Sequence, residues 1–168
     1  ISIISLVLTQ KMIEVTNNYL DNNEFYKINK IIFGETFPWY FNHEKEFFHH
    51  LVKIDENNKR ESSFFVTPVL SKLLVALKAT NVIHSSISFC VKTNEIIEIP
   101  PLNELDKETD SFRAILFLNT NNGYTQIVGG DKIDSVENRL LVFPSNVPYF
   151  HTTSSDNFRT LLQLHFKK

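Results

Sequence analysis

The sequence predicts an α+β domain, with helices first and a run of short strands afterwards that close as a sandwich, jelly roll or barrel. Three observations carry this. Apolar residues recur at helical spacing in 21–32 and again in 68–79. From residue 82 onward, short stretches rich in β-branched residues alternate with turn signals to the end of the chain. The 168 residues, 42% hydrophobic and 21% charged, suit one globular domain large enough to bury a core.

In chain order, Met12-Ile13-Glu14-Val15 is a short strand-like start followed by a polar turn. Phe25, Ile28, Ile31 and Ile32 then form one helical face, with Asp21 or Asn22 as N-cap and Gly34 as the stop. The aromatic run 37–42 follows; Trp39, Tyr40 and the fifteen phenylalanines are expected in the core and the helix–sheet interface. Residues 43–52 read as helix or loop and 55–63 as a charged loop. Val69, Leu70, Leu73, Leu74 and Leu77 give the second helix its apolar face, so the first half reads as mainly helical.

The second half reads as strands at 82–91, 95–99 and 112–119, the last closed by Asn121-Asn122-Gly123. Asn-Gly between apolar runs predicts a hairpin to a returning strand at 124–128, because both residues tolerate positive φ. Gly129-Gly130-Asp131 turns again, and further strands are expected at 133–136, 139–143, 149–151 and 158–166. The glycine pair lacks the Lys-Ser/Thr of a phosphate loop. No repeat or linker interrupts the chain.

A formal net charge of −2 gives no electrostatic reason to expect a nucleic-acid or acidic-membrane partner. The start, Ile-Ser-Ile-Ile-Ser-Leu-Val-Leu, lacks the basic leader of a signal peptide and is far shorter than the ~20 residues of a spanning helix. The domain is expected to begin at Met12, with residues 1–11 an upstream extension or fragment start, and the protein to be cytoplasmic. The lone cysteine, Cys90, lies in an apolar run and reads as a small buried hydrophobe.

Two residues stand out chemically. His151 lies near the start of a late strand, and Arg159 opens the final apolar one. On spacing alone the plainer reading of Arg159, a surface arginine whose stem covers core residues, comes first. At the mouth of a barrel its charge would need pairing, which a small dicarboxylate supplies through a bidentate contact.

The run from Phe112-Arg113-Ala114-Ile115-Leu116-Phe117-Leu118-Asn119 through Gly123-Tyr124-Thr125, Gly130, Asn138-Arg139-Leu140-Leu141-Val142-Phe143, His151 and Arg159 resembles the C-terminal half of 2-oxoglutarate/Fe(II) oxygenases. It is most similar to the prolyl-hydroxylase-like branch and to its small viral and marine microbial versions. The resemblance implies a double-stranded β-helix (jelly-roll, cupin-like) core with N-terminal helices packed on it. His151 matches the distal iron-binding histidine, and Arg159 the residue that pairs with the 2-oxoglutarate carboxylate. The family's His-x-Asp pair falls on Leu102 and Glu104. Leucine donates no lone pair, so the two-imidazole, one-carboxylate set is broken, and His151 with Glu104 alone would hold Fe(II) weakly. Asp106 is a reserve carboxylate, in a loop with Glu108 and Asp110. His49, His50 or His84 could replace the missing imidazole only by proximity in space, and His165 reads as structural.

If active, a chain of this kind uses Fe(II), O2 and 2-oxoglutarate to hydroxylate a peptide or small-molecule substrate, for instance a peptidyl proline. The second reading is a degenerate member that keeps the fold as a binding or structural module. A third is an unrelated jelly-roll binding domain, such as a virion or carbohydrate-binding module.

Overall fold

The computed structural model describes residues 13–42, 47–54, 67–99 and 110–168. The first half contains β1 (Glu14–Thr16), α1 (Asn22–Ile32), β2 (Tyr40–Asn42), β3 (Phe47–Ile54), α2 (Thr67–Leu77) and β4 (Asn81–Cys90). The second half contains β5 (Glu98–Ile99), β6 (Ser111–Phe117), β7 (Tyr124–Ile127), β8 (Lys132–Asp134), β9 (Arg139–Pro144), β10 (Tyr149–Thr152) and β11 (Arg159–Lys167). Among the described residues no helix is long and apolar enough to cross a membrane.

The strands form two antiparallel sheets, a seven-stranded one ordered β1-β9-β6-β11-β4-β3-β2 and a four-stranded one ordered β5-β10-β7-β8. From β4 to β7 the chain changes sheet at every connection, turns back through the β7–β8 pair, and changes sheet at each step again to β11. This winding is jelly-roll-like and buries two layers. On the outer face of the larger sheet, Leu162, Leu164 and Phe166 of β11 pack with Phe25, Ile28 and Ile32 of α1 and Leu70, Leu73 and Leu77 of α2. Between the sheets, Leu161 packs with Ile115, Phe117, Leu141, Phe143 and Tyr149. Because side chains alternate along a strand, residues 159, 163 and 165 share the inward side of Leu161.

The helices follow the sequence closely. Asp21 caps α1, its Oδ1 accepting from the Asn23 amide at 2.9 Å. Asn138, at φ 57°, ties this N-terminal region to the core: its Oδ1 accepts from the Leu20 amide at 2.9 Å and its Nδ2 donates to the Leu20 carbonyl at 2.8 Å.

Several expectations are corrected. The stretch 43–52 is not helical from residue 47 onward: β3 pairs with β4, whose other edge is taken by β11, and so satisfies backbone groups that a lone edge would leave unpaired. Among the described residues, the first half is therefore not mainly helical. Helix α1 ends at Phe33 with φ −94°, without a left-handed glycine. The Asn122-Gly123 turn makes no hairpin, because β6 and β7 belong to different sheets and neither residue has positive φ. The tight reversal lies at β7–β8, where Gly129 has φ +75°. The strand expected over 95–99 is only two residues long. In the aromatic run, Phe37 is buried and Trp39 packs on Phe37 and Phe89, whereas Tyr40 and Phe41 are largely exposed.

Candidate functional site

Arg159 is not on the surface. At 1% exposure it is the largest fully buried side chain among the described residues, lying between the sheets with its guanidinium 5.8 Å from the Phe117 ring centre. All three of its hydrogen bonds go to neutral oxygens. Nε donates to Ser135 Oγ at 2.8 Å, Nη1 to the Thr152 carbonyl at 2.9 Å and Nη2 to Thr125 Oγ1 at 3.1 Å. Burial lowers its pKa to about 10, so the group remains a cation at neutral pH. Gly123 lets the chain close over it: a Cβ there would lie 2.8 Å from Arg159 Cδ and 2.6 Å from the Thr153 carbonyl oxygen.

His151, on β10, is also buried. Its Nδ1 lies 3.0 Å from Thr125 Oγ1, and its Nε2 3.3 Å from Gln163 Oε1. Gln163 Nε2 in turn donates to Ser88 Oγ at 3.3 Å. One consistent set of donors runs through the whole chain: Arg159 to Thr125, Thr125 to His151, His151 to Gln163, Gln163 to Ser88. The His151 pKa falls to about 3, first through burial and then through the charge of Arg159, against the Gln163 hydrogen bond that raises it. The imidazole is neutral, as a metal ligand must be, but its Nε2 already has a partner.

The structure thus brings His151 and Arg159 together through Thr125. Leu102, Glu104, Asp106 and Glu108 lie outside the described residues, while Asp110 is exposed. The side chains of His49 and His50 also lie outside the description. His84 pairs in register with His165, and its pKa is lowered to about 4 by burial and by the charges of Arg113 and His165. His165 Nε2 lies 2.9 Å from Ser111 Oγ, as a structural histidine would. Burial raises the Cys90 thiol to about 11, so it is inert, as expected of a buried hydrophobe.

Sequence reasoning missed Thr125, Ser135, Gln163 and Ser88 as members of this network. The signal was present in period-two reading: counting by twos from Arg159 along β11 reaches Gln163, and polar Ser86 and Ser88 interrupt the apolar pattern of β4. Arg113 was also passed over, as one letter in an apolar strand.

As to what the site can hold, the described residues fit the anionic end of a dicarboxylate, since Arg159 is a buried cation with only neutral partners. They do not by themselves fit an iron. Among the described residues no three His, Cys, Asp or Glu side chains are grouped to hold a metal, and His151 contributes one nitrogen, bonded to Gln163.

Comparison with solved structures agrees with this architecture. A Pseudomonas putida prolyl-4-hydroxylase superposes with a TM-score of 0.62 at 14% identity, covering 94% of this chain and 92% of that one. A Trichoplax adhaerens prolyl hydroxylase, in complex with a hypoxia inducible factor peptide fragment, gives 0.63 at 12% identity over 99% and 94%. HygX from Streptomyces hygroscopicus, with nickel, 2-oxoglutarate and hygromycin B bound, gives 0.64 at 9% identity over 99% and 87%. The fold is that of the prolyl-hydroxylase-like 2-oxoglutarate/Fe(II) oxygenases. No protein-family model matches the chain, and no curated protein matches it significantly. Within the oxygenase fold, the inward positions of β10 and β11 are where His151 and Arg159 meet.

Proposed function

We propose that residues 12–168 form a single double-stranded β-helix domain that binds 2-oxoglutarate at Arg159 and is a 2-oxoglutarate- and Fe(II)-dependent dioxygenase-like protein. The observation that carries this is a guanidinium buried to 1% exposure, satisfied only by neutral oxygens and one hydroxyl away from a neutral, buried histidine. A buried cation is costly for a fold to keep, and a carboxylate ligand offsets that cost. Arg159 would pair with the distal carboxylate, while Thr125 and Ser135 hold the guanidinium in place.

Fe(II), when bound, supplies the O2 activation that couples 2-oxoglutarate decarboxylation to hydroxylation of a peptide or small-molecule substrate. On this chain His151 would be one ligand and Glu104 another. For His151 to bind a metal through Nε2, it must surrender its bond to Gln163. The alternative reading is a chain that keeps the fold and the co-substrate anchor as a binding module without oxygenase chemistry.

The test is anaerobic titration with Fe(II) and 2-oxoglutarate, watching for the visible metal-to-ligand charge-transfer band. A band lost in both His151→Ala and Arg159→Ala supports the dioxygenase reading. Binding of 2-oxoglutarate without a band supports the module. No binding of either overturns the proposal.

A further inference from the structure

The two ring nitrogens of His151 face different strands. Nδ1 lies 3.0 Å from Thr125 Oγ1 on β7, and Nε2 lies 3.3 Å from Gln163 Oε1 on β11. The buried Tyr149 ring meets the imidazole edge-on, 5.1 Å between centres at 78°, which limits rotation of the ring. Gln163 is held from behind. Its Nε2 donates to Ser88 Oγ at 3.3 Å, so the amide presents its oxygen to the histidine.

Arg159 decides where the imidazole proton sits. A guanidinium has donors and no acceptor. Its Nη2 donates to Thr125 Oγ1 at 3.1 Å, so the hydroxyl cannot return its own proton along that bond. Thr125 is fully buried, and among the described residues His151 Nδ1 is the one acceptor left to it. The hydroxyl therefore donates to Nδ1, and the neutral ring carries its proton on Nε2, where Gln163 Oε1 accepts it. A metal-ligating histidine needs the opposite arrangement, with a lone pair on the ligating nitrogen and the proton on the other. The resting site disagrees with that arrangement at both nitrogens.

We infer that Gln163 is a cap on His151, a positioning residue that accepts from Nε2 and keeps that nitrogen from a divalent metal until its side chain turns away. Release changes two bonds. Gln163 leaves, and the imidazole proton passes from Nε2 to Nδ1, which then donates to Thr125 in place of accepting from it. The number of protons on the ring is unchanged, so this is a change of tautomer and not an ionisation. Gln163 is only half-buried, whereas His151, Thr125 and Ser88 are buried, so it is the member of the network with room to swing. The inference deepens the proposed function by naming what controls the site, and it rests on that reading only in taking His151 as a metal ligand.

The experiment uses the full chain labelled with 15N-histidine. In the metal-free protein the His151 signals, assigned by their loss in His151→Gln, should report the Nε2–H tautomer. Co(II), an oxygen-stable stand-in for Fe(II), is then titrated alone and followed by calorimetry. Gln163→Leu should bind it about tenfold more tightly than wild type, the worth of one hydrogen bond. Gln163→Ala, which cannot overpack the interior, should do the same, and the gain should vanish in a His151→Ala background. An Nδ1–H tautomer in wild type, or Co(II) binding unchanged or absent in both Gln163 variants, would overturn the inference. Weaker binding would overturn it too, and make Gln163 Oε1 a ligand in its own right. Measuring 2-oxoglutarate binding alongside keeps the two readings apart. Retained binding with no gain in Co(II) affinity overturns the cap and leaves the Arg159 anchor standing, and a gain without 2-oxoglutarate binding supports the cap and removes the anchor.

Discussion

Replacing Arg159 by methionine separates a side chain kept for a ligand from one kept for the fold. Burial lowers its pKa to about 10, and at 1.36 kcal/mol for each tenfold change in acidity the buried charge costs the fold about 3 kcal/mol. The sign is clear: the folded state holds the proton less tightly than the unfolded state, so at neutral pH the charge opposes folding. Methionine removes that cost and fills much of the volume. It also removes three hydrogen bonds, leaving the Thr152 carbonyl and the Ser135 hydroxyl without a donor, a loss of about 2–3 kcal/mol. The two effects nearly cancel. Arg159→Met should unfold within about 2 kcal/mol of wild type in urea, a change of roughly 8 °C or less in Tm for a chain of this size. Ligand response should behave oppositely. Saturating 2-oxoglutarate, at a hundred times its Kd, should stabilise wild type by about 2.7 kcal/mol and leave the variant unmoved. A destabilisation above about 4 kcal/mol would refute the reasoning, since it would mean that the arginine holds the interior together.

Three further outcomes follow from the same geometry. Gly123→Ala places a methyl group 2.6 Å from the Thr153 carbonyl oxygen without any φ strain; a loss of about 1–3 kcal/mol in urea unfolding is expected, and an unchanged midpoint would contradict the close approach. Asn138→Ala removes both bonds to Leu20 and puts alanine at φ 57°, which should cost about 2–3 kcal/mol, with Asn138→Gly recovering only the backbone part. His151 and His84 are buried neutral, with folded pKa values of about 3 and about 4, below the ordinary 6.5; stability should be complete above pH 6.5 and fall as pH drops toward 4. Calorimetry of His151→Gln should show a shallower fall over that window, and an identical profile would exclude the histidine as its source.

How much was legible depended on whether a feature is local. The apolar spacing that makes α1 and α2 is written within a dozen residues, and the capping role of Asp21 within three. The strand β3 was not, because 43–52 carries no clean period, and what makes it a strand is the free edge of β4, thirty residues away. The Asn-Gly pair misled for a related reason: its composition suits a hairpin, but whether flanking strands pair is decided by the sheet each joins. His151 and Arg159 were found through a resemblance. Their link through Thr125, and the bond from His151 to Gln163, could be seen only when three strands were brought together.

The central claim is that the buried guanidinium of Arg159 exists to hold a carboxylate. A crystal structure of the protein soaked in 2-oxoglutarate tests it most directly. The account predicts a dicarboxylate between the sheets with one carboxylate on the Arg159 guanidinium. A fully occupied ligand elsewhere, with Arg159 still bonded only to Ser135, Thr152 and Thr125, would contradict it.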